Sequence, residues 1–230
     1  MTDFEGLLRS SAEAHGHICP GQVVGVRLAL LGGRLLGFEV PCSLMRLKRL
    51  IIWVEMDRCA ADAVAHATGV KLGRRSLKFA DYGIMAATFL DLETRAAYRV
   101  VSTEEARDLT DVYAPALAHK RDRQMLAYQV MPDSVLFRVQ RVEVDLGRLD
   151  LPGPTGRKVV CQRCGQMVRD GKETVEEGRV LCRPCAGRAY FRNPVEIVWP
   201  GMNWTPADSG SQGFLVGPGD PREADRCSRP

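Results

Sequence analysis

A chain of 230 residues, 45% hydrophobic and 26% charged, has room for one sizeable core and a small appendage, and this ordinary balance excludes fibrous and disorder-dominated classes. The longest apolar run, Val23 to Leu36, is broken by Gly25, Arg27, Gly32, Gly33 and Arg34, short of the ~20 apolar residues that a membrane span needs. The net charge of +4 is concentrated in residues 157–192, with nine basic and four acidic side chains, a pattern that suits nucleic acid, an acidic protein or simply a solvated face.

Asp3 and Glu5 argue against an export signal, so a cytoplasmic protein is expected. In that reducing compartment eight cysteines read as metal ligands or reactive thiols before disulfides. Phe4, Leu7 and Leu8 stand at helical spacing and predict a short helix over Asp3 to Glu13. It leads into His15-Gly16-His17-Ile18-Cys19-Pro20-Gly21, which packs two imidazoles and a thiol into five positions. Pro20 suits the first turn of a following helix, Gln22 to Leu36, and sets Cys19 at its N-terminus. There the partial positive charge of the helix end makes the sulfur a better metal ligand or nucleophile. Gly25, Gly32 and Gly33 lower helix propensity and are read as close-packing positions or as the helix end.

Leu50 to Val54 is short, apolar and β-rich, a predicted central strand. It runs into an alanine-rich helix beginning near Cys59, on which Cys59, Asp62 and His66 share a face at offsets of three and seven. A thiol, a carboxylate and an imidazole beyond a strand end point to a ligand site. From Ser76 the pattern predicts a β-meander over Leu77–Ala80, Met85–Leu90 and Ala97–Val101. A helix start follows at Thr103-Glu104-Glu105, then a helix from about Pro115 to Tyr128 and a strand with one wet face over Val135 to Val144.

Leu151 to Gly156, rich in Pro and Gly, marks a boundary. Beyond it, Cys161, Cys164, Cys182 and Cys185 form C-x2-C-x17-C-x2-C, the spacing of a closed, structural four-thiolate zinc site, with a disulfide pair as the alternative in an oxidising setting. Gly165 suits the knuckle turn, Glu173 to Val180 a hairpin, and Pro184 to Phe191 a helix, the order of a treble clef. The expected organisation is a core over 1–152, a zinc finger over 153–192 and a Pro/Gly-rich tail over 193–230. In the tail Trp199, Trp204 and Phe214 could strap part of the chain to the core, while its end is expected to be disordered. Cys42 and Cys227 have no spaced partner and are assigned no function.

H-G-H-I-C-P-G-Q-V-V-G-V-R from His15, V-E-M-D-R-C-A-A-D-A from Val54, D-Y-G at 81–83 and the terminal C-Q-R-C-G…C-R-P-C together resemble the FmdE family of formylmethanofuran dehydrogenase proteins over about residues 10–190. The resemblance implies an α+β core with a mixed or antiparallel sheet packed with helices, a C-terminal treble-clef zinc ribbon and a tendency to dimerise. It also implies a core His/Cys cluster at His17, Cys19, Cys59 and Asp62, to which local chemistry adds His15 and His66. Ser76 and Ile84 depart from the Asn and Lys expected at those places.

Two functions follow. In the first, His17, Cys19 and Cys59 hold a second metal, Zn or Fe, with one position open for water or substrate and Asp62 as orienting group or base, in a catalytic or accessory component linked to a molybdenum- or tungsten-type oxidoreductase partner. Cycling of Cys19 and Cys59 through a disulfide is the redox variant. In the second, the basic zinc module is a non-enzymatic adaptor for nucleic acid or an acidic protein.

Overall fold

A computed structural model describes residues 3–195 and divides the chain into two compact units, Met1–Pro154 and Thr155–Pro230. The expectations for Trp199, Trp204, Phe214 and Cys227 lie outside the described residues.

The first unit opens with α1, Phe4–His15, whose N-terminus is capped by the Asp3 carboxylate accepting from the Glu5 N–H. The next helix, α2, spans Pro20–Leu36, and short α3, Leu44–Leu47, is capped by Ser43. Strand β1, Leu50–Val54, is followed by α4, Cys59–Thr68, then β2, Leu77–Phe79, β3, Ala86–Asp91, and β4, Ala97–Ser102. Thr103 caps α5, Glu104–Asp108; α6, Thr110–Tyr113, α7, Lys120–Val130, α8, Asp133–Leu136, and β5, Phe137–Arg141, complete the unit's elements. None of the described helices is long and apolar enough to cross a membrane.

The five strands form one mixed sheet in the order β2-β1-β3-β4-β5, parallel between β1 and β2 and antiparallel elsewhere. The expected α+β class holds, but the meander is corrected. Strand β1 inserts between β2 and β3, because α4 carries the chain over the sheet in a crossover that brings β2 back parallel. The sequences agree with the places taken: Leu50, Ile51 and Ile52 are fully buried between two neighbours, whereas three-residue β2 is half exposed at an edge.

Helix α2 lies against β3 and β4, with α1, α4 and α7 packed around it. Val24, Leu28 and Leu31 share a core with Leu50, Ile52, Val54, Ala87 and Phe89. The glycines of α2 serve close packing, and the helix runs past all of them. A Cβ at Gly25 would lie 2.6 Å from the Ala60 carbonyl oxygen and from Ala63 Cβ, and one at Gly32 would lie 2.5 Å from the Phe89 ring.

Two expected elements are shorter than their patterns suggested. The helix expected from Pro115 begins at Lys120: Pro115 pushes Ala114 out of helical geometry, Leu117 reaches the core from a turn, and Asp122 supplies the acidic first turn. The strand expected over Val135–Val144 is β5 alone, since Pro132 starts a helical turn that buries Leu136. After Arg141 the chain leaves the ladder and straps the sheet face opposite α2. There the Arg95 guanidinium donates to the Val144 carbonyl and Lys78 Nζ of β2 donates to the Asp150 carbonyl at 2.7 Å.

The second unit holds two hairpins, β6 (Lys158–Val160) with β7 (Met167–Arg169) and β8 (Thr174–Glu176) with β9 (Arg179–Leu181). The helix expected to reach Phe191 stops at Arg188, because Ala186 and Gly187 leave helical geometry. Among the described residues the buried cluster of this unit consists of Cys161, Leu181 and Cys182.

Candidate metal centres

The core cluster is built where α1 ends and α2 begins. Gly16 closes α1 with φ 93°, a left-handed conformation that glycine adopts without the penalty of a Cβ, and its N–H donates to the Glu13 carbonyl. The reversal stacks the rings of His15 and His17 with centroids 4.8 Å apart. Two residues on, buried Cys19 is the extended N-cap residue of α2, with Pro20 in the first turn. One donor atom from each of His15, His17 and Cys19 falls within 4.8 Å of the others.

Helix α4 supplies the second side. Cys59 opens that helix, and its thiol pKa is raised by burial, by a hydrogen bond shared with Cys19, by the Cys19 charge and by Asp62. Gly21 permits this approach: a Cβ there would lie 2.9 Å from Cys59 Cβ and 3.7 Å from Cys19 Sγ. One turn on, an Asp62 carboxylate oxygen meets His15 Nδ1 at 3.0 Å. His15 Nε2, at the far side of the ring, is buried and has no hydrogen-bond partner. His66, a further turn along, engages Ser10 Oγ at 3.1 Å.

Two further residues hold this arrangement. Gln22, fully buried, donates through Nε2 to the Cys59 carbonyl at 2.7 Å and accepts from Ser11 Oγ at 2.5 Å, so one amide ties α1, α2 and α4 together. Arg121 of α7 donates to the Ile18 carbonyl at 2.6 Å and braces the loop from outside. A glutamine within the apolar run of α2 was a visible signal in the sequence; nothing near Arg121 was. Of the two departures, Ser76 is buried and bonded to the Lys71 backbone, a local structural role, whereas Ile84 is 40% exposed.

The donor set fits a borderline-soft divalent ion such as Zn²⁺ or Fe²⁺. His15 carries the strongest sign, since metal-ligating histidines usually donate their other ring N–H to a carboxylate, the place Asp62 takes. The ring proton then sits on Nδ1, and the partnerless Nε2 is left as a lone-pair donor.

In the second unit the four cysteine sulfurs all lie within 4.8 Å of one another. Cys164 Sγ and Cys182 Sγ are 3.8 Å apart, close to the roughly 3.8 Å edge of a tetrahedron with 2.3 Å metal–sulfur bonds. Gly165 turns the first knuckle with φ 71°. Burial opposes ionisation of Cys161, but backbone N–H groups at Cys182, Cys164 and Arg163 bring its pKa down to about 6, whereas burial and the neighbouring thiols push Cys164 and Cys185 up. This group could hold a metal ion. Cys42 lies apart, half-buried, its thiol pushed up to about 11 by burial against the opposing charge of Arg46.

The family model described as FmdE, Molybdenum formylmethanofuran dehydrogenase operon, matches residues 14–138. A curated protein of Archaeoglobus fulgidus, described as a probable S-adenosyl-L-methionine-binding protein, is 28% identical over 204 residues, 80% of this chain and 53% of that protein. The chain therefore spans about half the length of that relative. A crystal structure of a tungsten formylmethanofuran dehydrogenase FmdE-like protein from Syntrophus aciditrophicus superposes with a TM-score of 0.55 at 18% identity, covering 83% of this chain and 95% of that one. That likeness establishes a shared fold. With His15, His17, Cys19, Cys59 and Asp62 all inside the matched span, the chain belongs to the FmdE family.

Proposed function

We propose that the core cluster binds one Zn or Fe ion through His15, His17 and Cys19, with Cys59 beside them as a further thiolate, and that the four distal cysteines hold a structural Zn. The chain then acts as a catalytic or accessory component in oxidoreductase metabolism of the formylmethanofuran dehydrogenase type. The observation that carries this reading is His15, gripped at Nδ1 by Asp62 while Nε2 stays buried and bare, in a residue with a donor atom within 4.8 Å of those of His17 and Cys19. A divalent ion there supplies Lewis acidity to a bound substrate atom. The protein's part is to hold the His15 imidazole in one tautomer, keep Cys19 and Cys59 adjacent and leave His17 exposed to solvent.

Metal analysis of the intact chain and of a His15→Ala/Cys19→Ser variant tests this. Two metal equivalents per chain, falling to one in the variant with the four-cysteine site still filled, support it. A single equivalent in both proteins at saturating Zn and Fe overturns it. The cytoplasmic location, the homodimer and the oxidoreductase partner belong to the same reading; a dimer gains support from Phe79 and Tyr82, exposed in and just after edge strand β2, and sedimentation checks it.

A second reading, an adaptor for nucleic acid, is favoured by one feature of the distal unit. Tyr190 is 99% exposed and packs edge-on against Phe191 beside Arg188, a stacking platform in a basic setting. Binding of single-stranded DNA or RNA that weakens with salt and with Tyr190→Ala supports it; no binding at low salt removes it.

A further inference from the structure

A cleft of about 200 Å³ opens at the same end of the sheet as the core cluster, walled on one side by Pro20 and Gly21, the residues directly after Cys19. Gly21 lies against both Cys19 and Cys59, so the cleft and the thiols share a boundary. Its volume falls below the ~300–1,000 Å³ of pockets for drug-sized ligands, which limits it to a small molecule.

The lining divides into an apolar and a polar side. Val24 and Met85 form an apolar wall, while Ser102, Thr103, Gln124, Tyr128, Arg107 and the acidic Glu104 line the rest of the space. Among the described residues the hydroxyls of Ser102 and Tyr128 and the Gln124 amide have no hydrogen-bond partner. Burial pushes the Tyr128 phenol up, keeping it a neutral O–H donor. Arg107 meets Glu104 at 3.8 Å, the outer limit of an ion pair, and both side chains are solvated, so a carboxylate entering the cleft would compete with a loosely held partner. The N-terminal end of 17-residue α2 adds partial positive charge at the mouth.

The geometry points to this cleft as the binding site for a small carboxylate, held by Arg107 with Ser102, Gln124 and Tyr128 and presented to the core cluster across Gly21. Its role as substrate rests on the core cluster being a metal site; its binding in the cleft does not. Guanidinium and carboxylate form paired, charge-assisted hydrogen bonds, and the apolar wall takes a short alkyl chain.

The test is titration of the full, metal-loaded chain with sodium propionate at fixed ionic strength, followed by amide NMR shifts, with propionamide as the uncharged control. We expect saturable shifts at Gly21, Ser102 and Gln124. Binding should be about tenfold weaker for propionamide and in Arg107→Gln, with metal content unchanged. Equal binding of acid and amide, no loss in Arg107→Gln, or shifts elsewhere overturn the proposal. Repeating the titration on His15→Ala/Cys19→Ser separates the two readings, because the cleft should still bind propionate when the core metal is gone. Loss of propionate binding there, in a variant whose spectrum shows it folded, also overturns a cleft that binds by itself.

Discussion

Asp62 reaches back 47 positions to place a carboxylate oxygen 3.0 Å from His15 Nδ1, joining the first turn of α4 to the last residue of α1. The Asp62 side chain is 69% exposed and the His15 side chain 15%, so the carboxylate is solvated while the ring it orients is enclosed. Such a contact adds little to stability, but it fixes a tautomer.

Asp62→Asn should therefore weaken metal binding in the core by about 10–100-fold while the four-cysteine site keeps its affinity, as read by competition with a chromophoric chelator. Equal affinities in the two proteins would remove Asp62 from the site.

Gly25→Val should destabilise the first unit by about 1–3 kcal/mol or more, since the new side chain collides with Ala60 and Ala63 of α4. Urea unfolding measures the loss. The same wedge separates the helices that carry Cys19 and Cys59, so metal content should fall with it. A control, Gly73→Ala, meets nothing within 4 Å and should change stability by no more than about 0.5 kcal/mol.

Chelation should dissolve the two units unequally. Among the described residues of the second unit the buried cluster is Cys161, Leu181 and Cys182, far too little to hold residues 158–188 folded, whereas the first unit has a broad apolar core. After EDTA, NMR dispersion should vanish for residues 158–188 and persist for β1, β3 and α2. Dispersion retained in 158–188 after complete metal removal would contradict this.

Cys42 should resist alkylation at pH 8. Burial raises its pKa from 9.0 to about 11, so the folded state holds the protonated thiol. The sign follows directly: this contribution to stability is full below pH 9 and is lost as pH rises through about 11. Iodoacetamide labelling read by mass spectrometry should show Cys42 modified about 100-fold more slowly than in urea at pH 8, and the gap should close only as pH rises through about 11.

Helices α1, α2 and α4 and strand β1 were readable because each carries its instruction locally, in apolar spacing, Pro20, Gly16 or an unbroken apolar run. Placement of β2 was not, because three half-buried residues look the same on either side of β1; the choice is made by the α4 crossover. The same distinction separates the residues of the site. His17 and Cys19 stand out as a motif, whereas the standing of His15 depends on a carboxylate 47 residues away, which spacing cannot rank against exposed His17. Gln22 was visible as a polar residue in an apolar helix, but its link to the Cys59 carbonyl was not.

The match to the family ends at residue 138, inside β5, yet the chain continues to Asp150 before the first unit has made its last tie, from Lys78 on the opposite edge of the sheet. Ile51, Leu90 and Ala97 on that face are all but completely buried. A fragment trimmed to the family boundary would lose the ties from Ala97, Arg95 and Lys78 to residues 142–150. The smallest piece that can be expected to behave as an autonomous fold therefore runs through residue 152, and insolubility of a shorter one would reflect where it was cut, with no bearing on the metal chemistry.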